Sequence, residues 1–275
     1  MAFIEIDRLS FSYGTTPFIE NLNLRVEKEG IVALLGPNGS GKSTLLKLLV
    51  GILTPASGSI RIRGENLCGL TRKELARRVA YVPQTHREAF GYSVFDVALM
   101  GRMPRTSFFA RYSENDRRIA GEALEKLSIG HLAGRPYTEI SGGERQLTFI
   151  ARALTQGADI FVMDEPANGL DYGNQIRLLE RINQLSAEGF AFIYTTHHPD
   201  HAMAAADSVV MMKSGKILGE GEPRYMLTPG TLTELYGLSD RQFMRHADCQ
   251  RLGIQQPYNN RLTAATVCTA TLRKT

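Results

Sequence analysis

A glycine-rich segment between an apolar run and a helical pattern constrains this chain more than any other feature. Residues 36–44 read GPNGSGKST, which fits the spacing G-x-x-x-x-G-K-[ST]. The apolar run IVALL at 31–35 precedes it, as in a strand buried on both faces, and residues 42–50 have the pattern of a helix. In this context the backbone N–H groups of the loop point inward at phosphate oxygens, and the helix directs the positive end of its dipole at the same anion. We therefore predict a phosphate-binding loop rather than a plain glycine-rich turn.

The predicted loop consists of Gly36, Pro37, Asn38, Gly39, Ser40, Gly41, Lys42, Ser43 and Thr44. Lys42 would reach the β- and γ-phosphates of a nucleotide, and the hydroxyl of Ser43 would ligate Mg²⁺. A second apolar run, IFVM at 160–163, is followed by Asp164 and Glu165, at the strand end where open α/β sheets place their ligands. We expect Asp164 to hold Mg²⁺ and Glu165 to polarise the attacking water as general base.

Short apolar runs alternate with helical patterns along most of the chain. Besides the two runs above, strand candidates lie at 79–82, 191–196 and 209–212. The alternation predicts an α/β core with a mainly parallel sheet. The first roughly thirty residues instead alternate polar and apolar positions, as do residues 59–63, which favours an antiparallel β subdomain with one face in water.

Strand patterns stop between residues 83 and 142. Two Ser-x-x-Asp sequences in this stretch, Ser93 with Asp96 and Ser113 with Asp116, are typical of helix starts. We predict an inserted helical subdomain at about residues 85–142, within a main domain that spans residues 1–240.

The last 35 residues, 241–275, lose clear periodicity and carry six basic side chains against one acidic one. Their net charge of +5 leaves the preceding 240 residues at −1, although the whole chain has a pI near 9.0. We predict a weakly structured basic extension, and we favour a solvated tail over an arm that binds nucleic acid.

Composition excludes several classes of protein. The chain is 43% hydrophobic and 22% charged, as in globular domains, and no run of about 18 apolar residues is present to span a membrane. The first ten residues carry Glu5 and Asp7 and no apolar run, so we expect no secretory signal. Cys68, Cys249 and Cys268 form neither a CxxC pattern nor a disulfide framework, which fits a reducing cytosol.

A second anion-binding element is predicted at residues 141–146, SGGERQ, which precede an apolar helical run. Ser141 with Glu144 has the pattern of a capping box, but a cap alone does not explain the consecutive Gly142 and Gly143. Glycines beside an exposed helix N-terminus make an anion-binding surface. No N-K-x-D sequence is present, which argues against a GTPase.

With these motifs the chain resembles the ATP-binding cassette (ABC) ATPases over about residues 2–237. ISGGE at 140–144 resembles the family signature LSGGQ, except that Glu144 would add a negative charge near the γ-phosphate. Four further residues match family elements. Gln84 in YVPQ resembles the glutamine of the Q-loop, and Asp171 in NGLD resembles the aspartate of the D-loop. His197 resembles the switch histidine, and Tyr13 in FSYG resembles the aromatic residue that stacks on adenine.

Each match also has a simpler interpretation. Gln84 could be a turn residue, and Tyr13 a core or edge aromatic. His197, His198 and His201 could form a metal site, although no Cys or paired carboxylate completes it. The order of the elements along the chain, rather than any single one, carries the interpretation.

The resemblance implies a P-loop NTPase core of the RecA type that uses ATP and Mg²⁺. It also implies a homodimer of cassettes that face each other head to tail. One copy would close on the ATP held by the other through Ser141, Gly142, Gly143 and Asp171. Hydrolysis would depend on Glu165, with His197 at the γ-phosphate and Gln84 as a further catalytic residue and Mg²⁺ ligand.

A finer resemblance, at 89–104 (AFGYSVFDVALMGRMP) and 195–202 (TTHHPDHA), is to the ATPase subunits of importers for iron-siderophore, haem, cobalamin and some molybdate complexes. It implies a peripheral position at the cytoplasmic face of the cell membrane. The implied partners are integral membrane permease subunits and, indirectly, an extracytoplasmic solute-binding protein.

Residues 71–120 carry ten basic and five acidic side chains, with apolar positions at Phe90, Tyr92, Val94 and Phe95. This stretch could be a solvated basic face or a docking surface for acidic loops or lipid headgroups.

Two other functions stay open. A soluble ABC ATPase acting on nucleic acid or ribosomes usually carries two cassettes or long coiled-coil insertions, and this chain has neither, so we do not expect nucleic acid as a partner. A regulatory module with an inactive site is disfavoured because every expected catalytic residue is present.

Overall fold

Strands and helices alternate in the part of the chain that the computed structural model describes, residues 2–84, 91–105, 111–239 and 241–242. The strands are Ile4–Tyr13 (β1), Thr16–Val26 (β2), Ile31–Leu35 (β3), Ser57–Ile62 (β4), Glu65–Asn66 (β5), Val79–Val82 (β6), Ile160–Met163 (β7), Ala191–Thr196 (β8), Ser208–Lys213 (β9) and Lys216–Gly221 (β10). The α-helices are Lys42–Leu49 (α1), Arg72–Ala76 (α2), Val94–Leu99 (α3), Glu114–Lys126 (α4), Gly142–Gln156 (α5), Tyr172–Ala187 (α6), Pro199–Ala205 (α7), Pro223–Met226 (α8) and Pro229–Tyr236 (α9).

The main sheet has the order β10-β9-β3-β8-β7-β6. β3 pairs in parallel with β8 and β9, and β7 pairs in parallel with β6 and β8, whereas β10 runs antiparallel to β9. The predicted, mainly parallel core is thus confirmed. Because β3, β6, β7 and β8 run in one direction, the residues that follow all four strands meet at one edge of the sheet.

The predicted antiparallel sheet is also confirmed, with the order β2-β1-β4-β5. It packs together with α1 on one face of the main sheet, and most of the other helices pack on the opposite face. In β3, Val32 and Leu34 belong to the first core, whereas Ile31, Ala33 and Leu35 belong to the second. Burial on both faces accounts for the continuous apolar run of β3 in the sequence.

Helices α3, α4 and α5 fill the described part of the segment between β6 and β7. The predicted capping boxes at Ser93 and Ser113 are present, because each serine hydroxyl accepts the N–H of the aspartate three residues on. Asp116 also pairs with Arg102 at 2.7 Å, which ties α4 to the turn after α3. Hydrogen bonds from Ser113 and then Arg102 lower the pKa of Asp116 to about 2.

One expectation for this segment is wrong. Val94 is fully buried in the core, so it cannot be an apolar position of a docking surface. Phe90 and the predicted subdomain start near residue 85 lie outside the described residues.

The described chain continues a short way beyond α9, which ends at the C-cap Gly237 with a left-handed φ of 66°. Arg241 and Gln242 enter another helical turn, which Ser239 caps by accepting the N–H of Gln242 at 3.3 Å. Residues 243–275 lie outside the described residues, so the basic extension stays a prediction. In the ranges described above, no helix has the length and apolarity needed to cross a bilayer.

We expect the chain truncated after Asp240 to fold and to hydrolyse ATP. The truncation removes a net charge of +5 but keeps α9 and every predicted site residue. The measurement is the ATPase rate and melting temperature of the truncated and full-length proteins. Any loss should appear in partner or membrane association and shrink in high salt, because exposed charges more than ~10 Å apart are screened at about 0.1 M. A collapse of both rate and melting temperature would show that the extension is part of the fold.

Candidate nucleotide-binding site

The predicted phosphate-binding loop lies between β3 and α1, at the edge of the main sheet where the parallel strands end. Glycine is required at two of its positions. Gly41, the N-cap of α1, has a φ of 107°, and a Cβ atom on Gly36 would collide with the carbonyl oxygen of Met212. The cavity beside the loop is lined by Phe18, Asn38, Gly39, Ser40, Gly41, Lys42, Ser43, Thr44, Gln84, Glu165, Asn168 and His197.

The ammonium group of Lys42 is buried within the loop. Its Nζ donates to the carbonyl oxygens of Gly36 at 2.7 Å and Pro37 at 3.0 Å, and lies 3.9 Å from Oε1 of Glu165. Burial lowers the pKa of Lys42, and the neighbouring carboxylates oppose this shift. The buried hydroxyl of Ser40 has no hydrogen-bond partner among the described residues. A phosphate group would give Lys42 an anionic partner and Ser40 an acceptor, so the loop fits a bound nucleotide.

A hydrogen bond joins two residues that lie 121 positions apart in the sequence. Ser43 Oγ donates to Asp164 Oδ1 at 2.8 Å. Asp164 is buried at the end of β7. A hydroxyl and a carboxylate supply the hard oxygen atoms that Mg²⁺ prefers, alongside phosphate oxygens and water. These two residues therefore fit the predicted Mg²⁺ site.

Glu165 lies at the centre of the candidate catalytic group. Its Oε2 accepts hydrogen bonds from Gln84 Nε2 at 3.1 Å and Asn168 Nδ2 at 3.3 Å. Its Oε1 lies 3.2 Å from Nδ1 of His197, although the angle at this contact is not that of a hydrogen bond. The structure thus brings together Gln84, Glu165 and His197, which the sequence predicts to be catalytic. Their individual roles, including Gln84 as a metal ligand, stay predictions.

The rings of the three histidines after β8 lie against one another at tilted angles, with centroids 4.1 Å apart for His197 and His198 and 4.9 Å apart for His198 and His201. The two ring nitrogens of His201 face Thr196 at 3.5 Å and Gln175 at 3.3 Å. Burial, followed by the charges of the other two histidines, lowers the pKa of His201 to about 4. Across the ranges described, no group of three or more His, Cys, Asp or Glu side chains is placed to hold a metal ion.

The second predicted anion-binding element stands apart from this cavity. The capping box is present at the start of α5: Ser141 N–H donates to Glu144 Oε2 at 2.7 Å, and Ser141 Oγ accepts the Glu144 N–H at 3.3 Å. The hydrogen bond from the Ser141 backbone N–H, followed by that from its side chain, lowers the pKa of Glu144, and the carboxylate turns back onto its own helix. None of Ser141, Gly142, Gly143 and Asp171 lines the cavity.

Tyr13 contacts the phosphate-binding loop directly. Its hydroxyl oxygen lies 3.0 Å from Oγ1 of Thr44, within hydrogen-bond distance. The Tyr13 ring is half exposed and meets Phe18 edge-on, with centroids 5.6 Å apart. Phe18 lines the cavity, and Tyr13 does not. Stacking of adenine on Tyr13 stays a prediction.

Sequence reasoning missed three residues of the site: Phe18, Asn168 and Thr195. Asn168 follows Glu165 by three positions, a spacing that could have indicated a local contact. Thr195 was identified only as a strand end, yet its hydroxyl contacts both Asp164 and Glu165 at 2.7 Å. Phe18 comes from the antiparallel sheet, and no local pattern connects it to the loop.

Comparison with known proteins agrees with this geometry. A family model described as ABC transporter matches residues 19–168. An uncharacterised ABC transporter ATP-binding protein of Haemophilus influenzae is 38% identical over 243 residues, which make up 88% of this chain and 92% of that protein. The iron(3+)-hydroxamate import ATP-binding protein of Bacillus subtilis is 33% identical over 237 residues, 86% of this chain and 88% of that protein.

A solved structure of a metal-chelate type ABC transporter, in an inward-facing conformation, superposes with a TM-score of 0.75. It is 35% identical in sequence and covers 85% of this chain and 88% of its own. The family model includes the phosphate-binding loop, Gln84, Ser141 and Glu165, and the two relatives extend the similarity over most of the chain. The chain therefore belongs to the ABC transporter family and is one of its ATP-binding subunits, an ATPase.

Proposed function

We propose that this chain powers an importer of a metal chelate, of the iron-siderophore, haem, cobalamin or molybdate type. The support is the name of the Bacillus subtilis relative, which refers to iron(3+)-hydroxamate import, and the metal-chelate type of the structural neighbour. The chain would lie at the cytoplasmic face of the membrane, against integral permease subunits that a solute-binding protein supplies with cargo.

The proposed mechanism of hydrolysis rests on the contacts that Gln84 and His197 make with the Glu165 carboxylate. We infer that its carboxylate takes the proton of the attacking water as the water's oxygen approaches the γ-phosphate. Gln84 and His197, both within 3.2 Å of this carboxylate, orient the water and the phosphate. Lys42 exchanges its two loop carbonyls for phosphate oxygens, because an anion is the better partner for a buried ammonium.

Ser43 and Asp164 would hold Mg²⁺, which would neutralise phosphate charge. Positioning and charge stabilisation then account for the reaction, with no covalent intermediate on the protein.

The same geometry supports a head-to-tail homodimer of cassettes. The N-terminus of α5 is exposed at Ser141 and Gly142 and lies outside the cavity that holds the phosphate-binding loop. Asp171 caps the neighbouring α6, and the Leu170 side chain approaches Gly142. The N–H groups of Gly142 and Gly143, with Ser141 and Asp171 beside them, would face the γ-phosphate bound by a second copy. Each ATP would then be enclosed by two chains.

Affinity purification of the tagged full-length chain from membranes tests the importer assignment. We expect integral membrane subunits to co-purify and to be identified by mass spectrometry. Membranes that contain the untagged chain serve as the control. Recovery of ribosomes or nucleic acid in place of membrane subunits would overturn the assignment.

A further inference from the structure

The hydroxyl of Thr195 joins the two carboxylate residues that follow β7. Thr195 lies in β8, between β3 and β7 in the main sheet, and is fully buried. Its Oγ1 lies 2.7 Å from Oδ1 of Asp164 and 2.7 Å from the backbone nitrogen of Glu165. A backbone N–H can only donate, so the hydroxyl accepts from Glu165 and gives its single hydrogen to Asp164.

This bond gives Asp164 a second orienting hydrogen bond beside that of Ser43. Oδ1 of Asp164 receives hydrogen bonds from Ser43 and Thr195. The Ser43 hydroxyl can offer a lone pair to a cation while its hydrogen stays on Asp164. Thr195 is too deeply buried to reach solvent, and its bond remains. The two donors together hold the carboxylate toward the position where Mg²⁺ would bind.

The second bond holds the backbone of Glu165 in an unfavourable conformation. Glu165 has a φ of +45°, a left-handed value that non-glycine residues rarely adopt. Such a conformation persists only where the surroundings enforce it. The Thr195 oxygen accepts the Glu165 N–H at 2.7 Å, which is compatible with the side chain pointing at Gln84, Asn168 and His197.

We propose that Thr195 is a positioning residue for ATP hydrolysis, whose hydroxyl orients Asp164 and Glu165 together. The proposal rests on the functions proposed above for those two residues. It predicts that the hydroxyl matters for turnover and for Mg²⁺ use, and matters little for ATP binding, because Thr195 does not line the cavity.

The test compares Thr195→Val, which keeps the shape but loses the hydroxyl, with Thr195→Ser, which keeps the hydroxyl. We expect Thr195→Val to lower kcat by about 10- to 100-fold, the loss that misplacement of a catalytic group by about 1 Å can cause. The Mg²⁺ concentration for half-maximal activity should rise, and KM for ATP should stay within about twofold of the parent. Thr195→Ser should recover most of the parent kcat.

Thr155→Val is the matched control. Thr155 is equally buried, and its hydroxyl has no hydrogen-bond partner among the described residues. Equal kcat losses for Thr155→Val and Thr195→Val would mean that packing alone is responsible, and would overturn the proposal. So would a parent-like kcat for Thr195→Val, or an equal loss for Thr195→Ser. If the valine variant melts below the assay temperature, Thr195→Ala replaces it in the same comparison with serine.

The parent and Glu165→Gln are assayed alongside. If the parent is active and Glu165→Gln is inactive, the result supports the proposed site. A kcat of Thr195→Val equal to that of the parent would then contradict only the role proposed for Thr195.

Discussion

Glu165→Gln is expected to bind ATP but to lose nearly all hydrolysis, by about 10²–10⁴-fold, because an amide cannot accept the proton of the attacking water. The amide has the size of the carboxylate, and its oxygen can still accept from Gln84 and Asn168, so the cavity should keep its shape. With ATP bound and not consumed, the homodimer should become stable enough to detect by gel filtration. The measurements are the ATPase rate, ATP affinity and elution volume with ATP.

Glu180→Gln is a suitable control because it removes the charge of an exposed glutamate on α6 that does not line the cavity. Its hydrolysis rate should match that of the parent. Full turnover by Glu165→Gln would show that the general base has been assigned to the wrong residue.

Ser141→Arg is expected to abolish hydrolysis while ATP binding by the monomer stays nearly intact. Ser141 is exposed and lies outside the cavity of its own chain, so the arginine would not disturb the loop around Lys42. In the proposed dimer it would place bulk and charge at the γ-phosphate bound by the other copy. The ATPase rate at several protein concentrations and the ATP affinity provide the measurement.

The substitution also removes a helix cap, which costs about 0.5–2 kcal/mol. Ser113→Arg controls for this loss, because Ser113 caps α4 with the same pair of bonds and does not line the cavity. It should lower the melting temperature to a similar degree and leave hydrolysis near the parent rate. A specific ATPase rate that neither depends on protein concentration nor falls in Ser141→Arg would rule out the composite site.

Features with a local cause could be predicted from the sequence. The helix starts at Ser93, Ser113 and Ser141 were predictable because both partners of each capping box lie three residues apart. The buried strands β3 and β7 were predictable because a strand covered on both faces favours a nearly continuous apolar run. The phosphate-binding loop was predictable because its backbone requires glycine at Gly36 and Gly41.

Features that depend on strand order and register could not be predicted in this way. The added antiparallel strand β10, whose residues alternate between half-buried and exposed and include two glycines, has no strong pattern of its own. The Glu144 carboxylate accepts the N–H of Ser141, a contact that the family comparison did not indicate, and its charge near the γ-phosphate of a facing copy stays a prediction. Phe18 belongs to the antiparallel sheet but lines the cavity at the edge of the main sheet. No local sequence pattern indicates that these two sheets meet there.

The sequence by itself determined which chemical groups this protein has and which strands and helices carry them. Only the tertiary structure decided which of those groups meet. Thr195 reaches Asp164 across 31 positions because β7 and β8 are parallel neighbours that end at the same edge of the sheet. Hydrophobic periodicity indicates which face of a strand is buried, but the order of the strands sets which side chains come within hydrogen-bond distance, and that order depends on contacts along the whole chain.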